Sequence, residues 1–161
     1  MQKKQSNQEE VDRTGIAGTL KRTRRVAMTW NQELKDSALP DLKAHVDAIN
    51  GEGVSSKQLF FLCMGMGLQR DFMGEVPPRK SDSVRLEYLD EKDFALLKTV
   101  ALAYKKDFSI LLDEDAAYDI AEQFASGGLQ IFADEMKSQL NFPVWLISQL
   151  SGNLEEFLRQ N

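Results

Sequence analysis

VRLEYLDEKDFALLKTVALAYKKDFSILLDEDAAYDIAEQFASGGLQIFAD, residues Val84–Asp134, carries the densest apolar patterning of the chain and its clearest helix-start signals. Val84, Leu86 and Tyr88 alternate with Arg85, Glu87 and Leu89, a period of two that predicts a short half-buried strand. Asp90 is a good N-cap, and Glu91 and Asp93 fall in the following turn, where a helix dipole favours negative charge. Phe94, Leu97, Ala101 and Tyr104 then recur at helical spacing. Leu96, Val100 and Ala103 widen the stripe and predict burial on more than one side. Phe108–Leu112 reads as a strand or a buried connector. Asp113 caps a second helix with Ala117, Ile120, Ala121 and Phe124 inside. Ser126-Gly127-Gly128 is expected to end that helix and to turn a tight corner into a third, with Leu129, Phe132 and Met136 on one face. A phosphate-cradling loop would need more glycines and a Lys and Ser/Thr at set positions, so the corner is the preferred reading.

On either side the same logic continues. Upstream, Val26, Met28 and Trp30 suit a short strand. A helical region 32–50 should break near residues 37–39 because Pro40 belongs in a first turn. Leu42, Val46 and Ile49 give the apolar face of its second part, and Asn50-Gly51-Glu52-Gly53 stops it. Ser55 and Gln58 form a capping box for a helix with Leu59, Leu62, Cys63 and Met66 on one face, broadened by Phe60, Phe61 and Met64. Gly65 and Gly67 inside it imply close packing on another backbone, or termination. Its methionines read as core rather than as a partner groove. Residues 70–83 read as a loop. Downstream, Asn141 caps a helix with Pro143 in its first turn and Val144, Trp145, Leu146 and Ile147 as its apolar residues. Ser151-Gly152-Asn153 should interrupt it before a last amphipathic turn at Leu154, Phe157 and Leu158. These late apolar residues cover the core or dock on a partner.

The chain of 161 residues suits one domain, and about two-thirds of its unfolded surface can be buried without staples. The expected fold class is mainly α: a compact helical domain of five to seven helices with one or two short strands, over 21–161, behind a disordered, flexible basic arm at 1–20. Net charge is −5, but unevenly divided. Residues 1–25 hold seven Lys/Arg against three Asp/Glu, so this end is +4 and the remainder −9. Lys21, Arg22, Arg24 and Arg25 form one basic cluster and Arg79 and Lys80 a second. These six are the candidate nucleic-acid-binding residues, able to touch phosphates or an acidic protein face.

No catalytic residue, cofactor or metal is assigned. Cys63 lies in an apolar run and reads as a small buried hydrophobe; His45, the single histidine, reads as a surface residue. Asp113, Glu114, Asp115 and Asp119 are the residues to weigh for a divalent cation, and their place in a helix's first turns is read as capping instead. No signal segment or membrane span is read, which makes the expectation a cytoplasmic protein without membrane contact.

Two resemblances arise. RRVAMTW, a helix, then GVSSKQLFFLCMGMGL is similar to the strand–helix–helix order of ribbon-helix-helix DNA-binding proteins. That resemblance implies paired strands in the major groove with Arg25, Ala27 and Thr29 facing outward, Arg24 flanking. Residues 25–136 resemble the small proteins associated with bacterial DNA phosphorothioation (Dnd) clusters, of the type called Dnd system-associated protein 4. The run ALAYKKDFSILLDED and the ending AEQFASGGLQIF carry that resemblance, and the chain after Met136 reads as an addition to the family pattern. It implies an accessory factor in anti-phage or DNA-modification defence and no catalytic residues. The preferred function is a non-catalytic adaptor that binds a larger protein subunit of a defence complex, with a homo-oligomer compatible. The alternative is a small DNA- or RNA-binding protein using the basic arm.

Overall fold

The computed structural model describes residues 20–76 and 84–160, and of 153–160 the backbone alone. The expected disordered arm, Leu20 apart, lies outside the described residues, as do Arg79 and Lys80. Among the described residues the fold is mainly α, with six α-helices and one two-stranded sheet.

Local signals set most boundaries. Strand β1 (Ala27–Met28) leads into α1 (Gln32–Ser37), whose first turn is capped by the Asn31 side chain accepting from the Leu34 amide at 3.0 Å. Ala38 separates α1 from α2 (Leu39–Asn50), with Pro40 in the first turn, where its missing N–H costs nothing. Gly51 ends α2 in the left-handed region at φ 74°. Ser55 and Gln58 form the capping box of α3 (Ser56–Gln69), and Asp90 and Asp93 that of α4 (Glu91–Lys105).

Strand β2 is only Val84–Arg85, pairing antiparallel with β1 as Ala27 opposite Arg85 and Met28 opposite Val84. The expected strand through Leu89 is corrected. After the Leu86 amide donates to the Val26 carbonyl at 2.9 Å, residues Leu86–Tyr88 tighten into a 3₁₀ turn. That turn puts Leu86 and Leu89 against the core and Tyr88 in solvent, which straight alternation could not do. Phe108–Leu112 is likewise a 3₁₀ segment, with Ile110 and Leu112 buried.

Three expectations about helices are corrected. Helix α5 runs unbroken over Glu114–Ser138, straight through Ser126-Gly127-Gly128. Helix α6 runs over Phe142–Gln160 and does not stop at Gly152, where an added β-carbon would meet open space. An exposed glycine costs a helix about 1 kcal/mol, too little to break one held by Phe142 and Leu146 in the core. Helix α4 buries a single face, Leu97, Val100 and Ala101, while Leu96, Ala103 and Tyr104 are exposed.

The glycines act between helices instead. Helix α5 packs most extensively on α3. A β-carbon on Gly128 would stand inside 3.0 Å of the Cys63 carbonyl, one on Gly67 inside 3.0 Å of the Phe124 carbonyl, and one on Gly127 inside 3.0 Å of the Phe72 carbonyl. Gly74 has the same relation to Gly127, at 2.7 Å from its nitrogen. Two helices and the strand-like chain after α3 therefore meet backbone to backbone, and the Gly74 amide donates to the Gln123 carbonyl at 2.8 Å. Around this seam Trp30, Leu59, Phe60, Met64, Phe124 and Leu129 fill the core, each contributing about 1.5–3 kcal/mol if removal from water is complete. Gly65, by contrast, has nothing within 4 Å of a would-be β-carbon.

Candidate functional site

The most elaborate polar arrangement lies where the basic stretch meets α5. Residues 21–31 run alongside residues 112–126. The Lys21 amide donates to the Leu112 carbonyl at 2.7 Å, and the Glu114 amide to the Lys21 carbonyl at 3.1 Å. Lys21 Nζ pairs with Asp113 at 2.9 Å in solvent. The Thr23 amide donates to Glu114 Oε2 at 2.9 Å, and its hydroxyl to Asp115 Oδ1 at 2.5 Å. Further along, the Thr29 amide donates to Glu122 Oε1 at 2.9 Å and the Asn31 amide to Ser126 Oγ at 2.9 Å. Asp115, Asp119, Glu122 and Ser126 are spaced four, three and four apart, so one side of the helix presents them in a row.

Arg25 occupies the middle of this row. Its Nε donates to Asp115 Oδ1 at 3.0 Å, and its Nη2 to the Asp115 carbonyl at 3.0 Å and to Asp119. Its Nη1 lies 3.2 Å from Glu122 Oε1, and the guanidinium carbon sits 5.9 Å from the centre of the Tyr118 ring. The Arg25 side chain is 5% exposed and that of Glu122 2%. Burial works against the charge on Arg25, but the hydrogen bond to Asp119 and the charges of Glu122 and Asp119 outweigh it and raise its pKa. Asp115 is held below the usual carboxylate range, first by the Thr23 hydroxyl and then by Arg25. Asp113 is lowered by the bond from Lys21 and by the Ala116 amide at the helix cap.

The candidate residues therefore separate. Arg25 is turned inward and Lys21 is paired, whereas Arg22 and Arg24 are exposed. The outward strand face implied by the ribbon-helix-helix resemblance is corrected: Ala27 and Thr29 are buried against the body, and β1 is paired within its own chain. The acidic run 113–119 binds this strap as well as capping α5, which explains its charge density without a cation. Among the described residues no group of three or more His, Cys, Asp or Glu side chains is placed to hold a metal ion. Cys63 is buried, and burial pushes its thiol far up from its ordinary value. His45, expected at the surface, is half-buried with its ring 5.0 Å from that of Phe142. Glu122 was not singled out in the sequence. Its only signal is a carboxylate three residues after Asp119 and seven after Asp115, set among the apolar positions Ile120, Ala121 and Phe124.

A shallow groove of about 780 Å³ opens beside the strap, lined by Leu20, Arg22, Phe94, Lys98 and Tyr118 among others. Thr23, whose hydroxyl is engaged by Asp115, and the Lys98–Glu114 pair also line it. Among the described residues no helix is long and apolar enough to cross a membrane.

The described residues form a mainly α body with one short two-stranded sheet, and its buried arginine ties the N-terminal strap to the central helix. The family model for DNA sulphur modification system-associated protein 4 matches residues 56–158, well over half the chain, and the chain belongs to that family. The match reaches through α6, so the part after Met136 belongs to the family pattern and is not an addition to it. No curated protein and no solved structure matches.

Proposed function

We propose that this chain is a non-catalytic accessory subunit of a bacterial DNA sulphur modification system, working by protein–protein binding in the cytoplasm. The observation that carries the reading is the burial of Arg25 among α5 carboxylates, which withdraws it from outside contact, while Lys21 is paired with Asp113 at the surface. What remains is a body of net charge −9 over residues 26–161, suited to the basic face of a larger, DNA-handling subunit.

The test is capture of components of the sulphur modification system by the tagged, co-expressed chain, with salt titrated across the wash. The reading expects a defined component to be retained at low salt and released as salt rises, with no gel shift of free DNA by the chain alone. A salt-sensitive DNA shift abolished by Arg22→Ala and Arg24→Ala, without capture of any component, would replace it with direct nucleic-acid binding.

A further inference from the structure

Helix α4 turns one long side to solvent. Lys92, Leu96, Thr99, Ala103 and Lys106 are all exposed and spaced four, three, four and three apart. They form one stripe about 21 Å long, at 1.5 Å per residue. Leu96, its largest apolar residue, is 44% exposed, and the Thr99 hydroxyl donates to the Ala95 carbonyl at 2.8 Å, so covering it strands no donor. In a chain of net charge −5 this side is cationic. Lys92 and Lys106 make no ion pair among the described residues, Lys105 lies over the Tyr104 ring at 5.6 Å, and Arg22 lines the adjoining groove with Ala95. Four neighbouring carboxylates are engaged: Asp90 with the Lys92 amide, Asp93 with Lys57, Asp107 with the Ser109 amide and Glu114 with Lys98. Glu91 is exposed, about 100° round the helix from Lys92.

Helix energetics do not account for the two end lysines. Lys92 stands in the first turn, where the dipole favours carboxylates and works against a cation. Lys106 ends the helix at φ 54°, in the left-handed region where glycine is at ease and a lysine is strained. Each keeps a positive charge where a different residue would suit the fold better. We infer that this side of α4 receives an acidic amphipathic helix of a larger subunit. Its apolar positions lie over Leu96 and Ala103, and its carboxylates reach Lys92 at one end and Lys105 and Lys106 at the other. The four-three spacing is the ridge along which a second helix packs. A phosphate backbone would meet Leu96 and Ala103 in the middle of its track, and a membrane surface would find a single leucine along the stripe where it needs a row. The inference rests on the accessory reading and adds a second contact of opposite sign, which fixes how an acidic body is oriented on a basic face.

Photo-cross-linking in the full tagged chain, co-expressed with the sulphur modification system, tests this. A benzophenone amino acid is placed at Leu96 or at Ala103, both exposed, and the joined segment is read by mass spectrometry. The expected product joins either position to one segment of a system component in which Asp and Glu outnumber Lys and Arg. Lys92→Glu with Lys106→Glu should lower its yield about tenfold or more, with the helical circular dichroism unchanged. Lys106→Gly should lower the yield about twofold or more while raising the thermal midpoint, a pairing that a purely structural lysine would not give. A product with a cation-rich segment, a nucleic acid, a second copy or another part of this chain overturns the inference. So does a yield indifferent to the charge reversals, or no product at all. With a component still captured by the tag, each of these outcomes leaves the accessory reading in place. Failure to capture any component removes that reading, and this one with it.

Discussion

The two halves of α5 are fastened to the rest of the molecule by opposite means. Over residues 113–126 the helix is held through its side chains: a row of carboxylates takes one inward arginine, the Thr23 hydroxyl and the Thr29 amide. At Gly127 and Gly128 the approach is backbone to backbone, and carbonyl groups of Phe72 and Cys63 lie where β-carbons would be. The first half can be weakened one group at a time and responds to pH. The second has a purely steric specification, which a single methyl group violates.

The sharpest way to break the comparison is to add two methyls. Gly127→Ala with Gly128→Ala must drive α5 off both α3 and the Phe72 segment, because the obstacles are backbone atoms with no rotamer to change. A loss of about 5 kcal/mol or more is expected, comparable to the whole stability of a domain, read as absence of a cooperative urea transition. Next comes Arg25→Ala, which leaves Glu122 buried with its charge uncompensated. It should cost about 3–5 kcal/mol in the urea midpoint at unchanged slope, and Arg25→Lys, lacking the planar fork, should recover only part.

The pH response sharpens the contrast further. Asp113 and Asp115 are held below their unfolded values, so their contribution is present above about pH 4 and is lost as pH falls through the folded values. Urea midpoints should therefore be flat from neutrality to about pH 4 and fall below it. In the Arg25→Ala chain that fall should be shallower, though not abolished, since Thr23 still bonds Asp115. The smallest effect is a control with the reverse sign. Gly65→Ala, in the same helix as Gly67 but facing open space, should stabilise by about 0.5–1 kcal/mol in thermal unfolding.

This pair of glycines also shows what was legible in the sequence. Caps at Asn141, Asp113, Asp90 and Ser55 and the Pro40 break rest on neighbours within four positions, and all stand in the structure. Gly127-Gly128 has the same local signature as a helix end, yet the deciding partner, Cys63, lies 65 positions earlier. Nothing local separates a glycine that ends a helix from one that lets two helices touch. The strap fails for a related reason. Arg25 stands in a run of cations that looks solvated; two of its three carboxylates, Asp115 and Asp119, already had a local explanation in helix capping, and the third, Glu122, drew no reading. The one-sided burial of α4 was misread because Leu96 and Ala103 widen the stripe in sequence, while among the described residues no element covers them.

Lys21, Thr23, Arg25, Thr29 and Asn31 find their α5-side partners 90 to 95 positions further along. At roughly 5–20 residues per second of synthesis, they leave the ribosome about 5–20 s before the helix that receives them exists. Arg25 is thus born as a free cation and becomes an interior one only when the central rod has emerged.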